Sequence, residues 1–165
     1  MIKKLKEIFI ASDVDEKFQI SLATKGKFAI GSFGYALSSG LFAAWLANFY
    51  IKIVKIDLFF YALAWLLYLA WNSINDPLIG YLGDRTRSKY GRRIPWLMLA
   101  TPLIAVAFII MFFPPIYLDN SLASTQWTYF IWLFLSLMIY DLFYTIILIS
   151  ENALVAELTI DPEER

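Results

Sequence analysis

Asn75-Asp76-Pro77-Leu78-Ile79-Gly80-Tyr81-Leu82-Gly83-Asp84-Arg85-Thr86-Arg87-Ser88-Lys89-Tyr90-Gly91-Arg92-Arg93-Ile94-Pro95-Trp96 starts with a carboxylate inside one apolar run and ends by opening another. Five of the 14 Lys and Arg residues of the chain lie between the two runs. An ionisable residue within a membrane span is costly and marks function by default. A dense basic loop between two spans fixes which side faces the cytosol. Both signals point to one class of fold: all-α, with apolar helices that cross a bilayer.

Outward from this stretch, four apolar runs cover residues 28–50, 58–82, 94–115 and 127–150. Each is long enough to cross a hydrocarbon core of about 30 Å at roughly 1.5 Å per helical residue. The runs are continuously apolar rather than alternating, which excludes membrane strands. The hydrophobic share of 60% is far above that of a soluble domain. The expected order is a tail over 1–27, a membrane domain over 28–158 and the start of a loop over 159–165. A lipid bilayer is therefore the first partner.

The net charge of zero hides a sharp asymmetry. Lys3, Lys4, Lys6, Lys17, Lys25 and Lys27 precede the first run; Arg85, Arg87, Lys89, Arg92 and Arg93 fill the loop between the second and third. Only Lys52 and Lys55 fall in the first outer turn, and 116–126 holds none. The positive-inside rule then predicts both termini in the cytosol and a multi-pass protein of the cell membrane. Basic clusters also occur in nucleic-acid binders, but here they flank spans, so no nucleic-acid partner is expected. The N-terminus lacks the apolar core of a signal peptide; Ile2, Leu5 and Phe9 could line one face of a short interfacial helix.

Asn72, Asn75 and Asp76 form the sharpest polar patch. Asn72 and Asp76 are four residues apart and share a helical face, with Asn75 beside them. Pro77 has no N–H, so the carbonyl of Ser73 loses its usual donor. Oxygen-rich patches at interrupted membrane helices are suited to holding a small cation or a proton. Asp76, Asn72, Asn75 and Ser73 are thus expected to bind a coupling ion, Na⁺ or H⁺; no other cofactor is expected. In the fourth run, Asp141 shares a face with Tyr144 and Leu148, while Glu151 lies nearer the cytosolic end. That run has no Lys or Arg to neutralise either acid.

Span one carries Gly31, Gly34, Ser38, Ser39 and Gly40, and the face Gly34–Ser38–Phe42 is expected to pack closely on a neighbouring helix. Tyr35 and Trp45 offer rings for stacking and, with Asp141 and Tyr144, are candidate solute-lining residues. An enzyme is not expected. The chain has no His and no Cys. Asp141 and Glu151 are about 15 Å apart along one helix, too far for an acid–base pair.

The segment 75–96 resembles the loop between the second and third spans of major facilitator transporters. It is similar to the form found in the glycoside-pentoside-hexuronide:cation symporters, the melibiose-permease-like family. The resemblance extends from Gly31 through the terminal Asp161-Pro162-Glu163-Glu164-Arg165 and is strongest over 75–96. It implies a cation-coupled symporter for a sugar, glycoside or other small organic solute, working by alternating access. It also implies that Gly80, Asp84, Arg85, Gly91, Arg92 and Arg93 form a latch of the outward-facing state. Two positions depart from the family: Ala36 and Leu148 stand where its sugar permeases commonly carry Asp. Asn72 likewise replaces a second Asp of the usual cation site. Four spans would be the first third of a twelve-helix fold, so the remaining transporter helices are expected as partners of this N-terminal portion. The alternative is a small four-helix membrane protein that assembles with or regulates another.

Overall fold

The computed structural model describes residues 22–115 and 122–158. The proposed interfacial face at Ile2, Leu5 and Phe9 and the segment 159–165 lie outside the described residues. Four helices follow in order: α1 (Leu22–Asn48), α2 (Leu58–Arg85), α3 (Ile94–Met111) and α4 (Ala123–Leu158). No strand occurs among the described residues. Four helical spans among the described residues are long and apolar enough to cross a membrane: Ala29–Val54, Leu58–Arg85, Ile94–Met111 and Ala123–Leu154. Large apolar side chains such as Ile30, Phe33, Leu66, Leu69, Met98 and Ile109 are exposed. An apolar outer face costs nothing in hydrocarbon, where water would penalise it.

The helices run up and down. At one end, the end of α1 meets the end of α3: Tyr50 Oη donates to the Met111 carbonyl at 2.6 Å. At the same end, the start of α2 meets the start of α4. Gln126 Oε1 accepts from the Asp57 N–H at 2.8 Å, and Gln126 Nε2 donates to the Lys55 carbonyl at 3.3 Å. The basic loop joins α2 to α3 at the opposite end.

α4 is the central helix. Half of its most apolar window is buried, against 17%, 11% and 22% for the other three spans. It packs along α2 on one side and α3 on the other. Leu133, Leu137 and Tyr140 of α4 join Ala64 and Ile79 of α2 and Ala100, Ile104 and Ala107 of α3 in a common core. Small side chains at 64, 100 and 107 bring the backbones close, which is how helices gain packing energy when lipid is as apolar as they are.

α1 does not end in a regular turn but passes into a π-helical segment at Phe49–Val54. Lys55 closes it with φ 60°, and the Ile56 N–H reaches back to the Tyr50 carbonyl at 3.0 Å. Asp57 then caps α2, its carboxylate accepting from the Phe59 N–H at 2.8 Å. α3 starts with Pro95 in its first turn, where a missing N–H is harmless. Tyr50 and Tyr129 are fully buried. Tyr50 is drawn in because the last carbonyls of α3 have no partner within their own helix. Trp132 serves the same end, donating to the Ile110 carbonyl at 3.2 Å.

Candidate functional site

A polar pocket of about 220 Å³ opens between α1, α2 and α4. Its walls include Tyr68, Asn72 and Asp76 of α2, and Tyr140, Asp141, Tyr144 and Thr145 of α4. Asp141 is the hub. Its Oδ1 accepts from Tyr68 Oη and from Asn72 Nδ2, both at 3.0 Å, and its Oδ2 accepts from Asn75 Nδ2 at 3.0 Å. Asp141 is 2% exposed and Asn75 is fully buried. Three neutral donors therefore solvate the carboxylate in place of water, yet none supplies a positive charge.

Asp76 stands beside this network and is exposed on the surface of the four helices. Its Oδ1 accepts from Thr145 Oγ1 at 2.9 Å. Two carboxylates thus line one pocket with no Lys or Arg in its walls. Such a pocket attracts a cation or holds a proton, because an uncompensated negative pair inside a membrane is strongly unfavourable. Asn75 Oδ1 is buried and has no hydrogen-bond partner among the described residues.

The grouping differs from that expected around Asp76 alone. Asn72 and Asn75 turn their NH₂ groups to Asp141 rather than their oxygens to Asp76. The reason lies in the packing of α2 on α4, which sets Asp141 opposite both amides. Ser73, expected to contribute its backbone carbonyl, has an exposed side chain whose hydroxyl donates to the Leu69 carbonyl of its own helix at 2.9 Å. Tyr68 and Thr145 were not singled out from the sequence. A signal for both was present, since 68, 72 and 75 follow helical spacing on α2 and 141 and 145 are one turn apart on α4.

The four candidate solute-lining residues do not converge. Asp141 and Tyr144 share the polar pocket. Tyr35 touches Tyr144 edge to face, with ring centroids 5.9 Å apart, but lines a second cavity between α1, α3 and α4. Trp45 lies apart, near Asn48, Phe49 and Lys52. The small-residue face of α1 closes on α4 in part: no atom comes within 4 Å of where a Cβ on Gly34 would sit. Further along the same face the Ser38 and Tyr140 hydroxyl oxygens are 3.3 Å apart, and Phe42 stacks on the Tyr140 ring with centroids 5.2 Å apart.

In the basic loop, Arg93 forms an ion pair with Asp84 and is almost completely buried. It lies over Gly83, where a Cβ would collide with its guanidinium. Trp96 Nε1 donates to Thr86 Oγ1 at 2.8 Å, tying the start of α3 to the end of α2. Arg85 stacks over the Tyr81 ring at 4.7 Å. Gly91 has φ 91°, a conformation that favours glycine, and its N–H closes a turn onto the Ser88 carbonyl at 3.1 Å. Arg92 lies exposed in the same loop, and the position of a Cβ on Gly80 meets open space. Of the six expected latch residues, the structure joins Asp84 and Arg93 directly.

Four apolar helices, an intramembrane acidic pocket and this loop agree with what comparison of the sequence finds. The family described as MFS/sugar transport protein matches residues 27–165. The chain belongs to that family. It is a multi-pass membrane protein of the major facilitator type. An uncharacterized symporter of Synechocystis is 31% identical over 147 residues, covering 89% of this chain. The inner membrane symporter YicJ of Escherichia coli is 30% identical over 118 residues, or 71% of this chain. The sodium-dependent lysophosphatidylcholine symporter 1 of Mus musculus is 22% identical over 161 residues, or 97% of this chain. The matches cover 27%, 24% and 30% of the respective relatives, so the chain spans less than a third of their length.

Proposed function

We propose that this chain is the N-terminal part of a cation-coupled symporter that moves a small organic solute by alternating access. Asp76 and Asp141 hold the coupling ion, Na⁺ or H⁺, between α2 and α4. The observation that carries this reading is the pair of carboxylates lining one membrane pocket without a basic residue in its walls. A cation entering that pocket gains two countercharges and the oxygen of the Thr145 hydroxyl; once it leaves, the acids repel each other. Occupancy of the pocket therefore changes how tightly α2 and α4 hold together, which is the requirement for linking ion binding to a conformational change.

The positive-inside rule supports a cytosolic position for the 84–93 loop, in the cell membrane. There the Asp84–Arg93 pair ties the ends of α2 and α3 and serves as the latch. The chemistry of the solute is open between two classes. The matched family is described by sugar transport, whereas a relative carries lysophosphatidylcholine in its name. Ala36 and Leu148, unable to hydrogen-bond a sugar, favour a solute recognised differently from those of the sugar permeases.

The experiment is electrical. The full-length protein is fused to a solid-supported membrane, and solutes from a panel of sugars, glycosides and lysophospholipids are jumped onto it with Na⁺ or H⁺ present. We expect transient inward currents for one class of solute that require one of the two ions. Solute flux with no dependence on either ion would overturn the coupling.

A further inference from the structure

Asp76 and Asp141 line one pocket but are bound differently within it. A carboxylate has about four lone-pair sites, two on each oxygen. On Asp141, Oδ1 takes two donors, Tyr68 Oη and Asn72 Nδ2, and Oδ2 takes a third, Asn75 Nδ2, each at 3.0 Å. Oδ1 is therefore full. Oδ2 keeps one site, on a side chain already almost completely buried among the described helices. Helices packed around these four cover such a side chain further. Asp76, by contrast, has an exposed side chain and accepts one hydrogen bond among the described residues, from Thr145 Oγ1 at 2.9 Å. About three of its lone-pair sites stay open.

The donors to Asp141 are fixed in that direction. All three belong to α2, where positions 68, 72 and 75 follow one face, the face that meets α4. Asn75 turns its NH₂ to Asp141 although its own Oδ1 is then left buried without a hydrogen-bond partner. An orphaned buried acceptor is costly, and a hydrogen bond to a charged group is strong enough to outweigh it. The carboxylate of Asp141 is thus clamped by neutral donors that occupy the positions a metal ion would need.

We propose that Asp141 is a fixed countercharge rather than a ligand of the coupling ion, and that Tyr68, Asn72 and Asn75 are the positioning residues that hold it so. The inference rests on the reading of this pocket as an ion site. Asp76 and the Thr145 hydroxyl supply the oxygens that touch the ion, and Asp141 acts from behind its donors. The two roles have different consequences. An oxygen in contact with an ion discriminates by ion size and coordination. A charge at a distance attracts all monovalent cations alike. Asp141 therefore sets how tightly an ion is held, and not which ion.

The test titrates the full-length protein in phosphatidylcholine nanodiscs with LiCl and NaCl, at an ionic strength kept constant with choline chloride. Binding is read by calorimetry. We expect Asp141→Asn to weaken Li⁺ and Na⁺ by the same factor, about tenfold or more, so that the ratio of the two affinities is unchanged. Asp76→Glu, which moves the contacting oxygens, should change that ratio. Tyr68→Phe vacates a lone pair of Asp141 Oδ1 on the wall that Tyr68 lines. Asp141 then reaches the ion directly and the ratio shifts by about threefold or more, while adding Asp141→Asn to Tyr68→Phe restores the wild-type ratio. A changed ratio in Asp141→Asn alone would overturn the inference, as would unchanged affinities in that variant. A wild-type ratio in Tyr68→Phe would overturn it whether or not Asp141→Asn folds. Absence of alkali-ion binding to the wild type would overturn it too, and would leave proton coupling through the same acids intact. Ion-driven accumulation with wild-type ion dependence in both Asp76→Asn and Asp141→Asn would instead overturn the pocket reading itself, so the two failures are distinct.

Discussion

Gly83 and Gly80 are one helical turn apart on α2 and face different surroundings. A methyl on Gly83 runs into the Arg93 guanidinium, which is held in place by Asp84. A methyl on Gly80 meets nothing within 4 Å. Gly83→Ala should therefore destabilise the chain by about 1–3 kcal/mol through overpacking. Gly80→Ala should be neutral or stabilise by about 0.5–1 kcal/mol, as alanine does in a helix. Thermal unfolding in detergent measures both, and equal loss in the two variants would show that Arg93 is free to move aside. The same ion pair separates two loop charges by function. Asp84→Asn in the full-length transporter should cut uptake several-fold with normal insertion, because it removes the charge that Arg93 pairs with. Lys89→Gln should have little effect, since Lys89 stacks on its neighbour Tyr90 and makes no ion pair among the described residues. Near-normal uptake by both variants would reduce the loop to an orientation signal.

Tyr50 ties the end of α1 to the end of α3, and Tyr50→Phe tests how much that tie holds. Tyr50 is fully buried, so the phenylalanine leaves the Met111 carbonyl without a partner and out of reach of water. The expected cost is about 1–3 kcal/mol, read as a lower unfolding temperature in detergent. An unchanged temperature would mean that the α3 terminus finds another donor. None of this tie was legible in the sequence, although the helices themselves were. Runs such as Leu58–Leu82 announce a helix because continuous apolarity at membrane length admits only one hydrogen-bonded backbone. The π-helical segment at Phe49–Val54 carries no such mark, since it differs from an α-helix only in which carbonyl each N–H chooses. The acidic residues of the site were equally legible, as charges without partners in apolar runs. Their pairing was not. Whether Asn72 and Asn75 serve Asp76 on their own helix or Asp141 across the interface depends on how α2 and α4 are set against each other. The small-residue face of α1 shows the same limit: Gly34 and Ser38 both permit close packing, but the placement of α1 brings Ser38 to Tyr140 of α4 and leaves Gly34 open.

Four antiparallel spans place the basic loop and the turn at Asp57 on opposite sides of the membrane. Cysteines substituted singly at Ser88 and Ser124 should therefore react with an impermeant thiol reagent from opposite faces, Ser124 from outside. The chain has no native Cys to interfere. Labelling of both positions from one side would contradict the up-and-down arrangement. Beyond orientation, coupling needs a site whose occupancy two helices feel together, and the Asp76–Asp141 pocket is the only group of two carboxylates lining one cavity among those described. The decisive measurement is gradient-driven solute accumulation against downhill counterflow in proteoliposomes of the full-length protein, for wild type, Asp76→Asn and Asp141→Asn. Each substitution keeps the shape of the side chain and removes its charge. We expect both variants to lose ion-driven accumulation by tenfold or more, with counterflow retained at least in part in Asp76→Asn. Accumulation by both variants with the wild-type ion dependence would show that the two acids are structural and that the ion binds elsewhere.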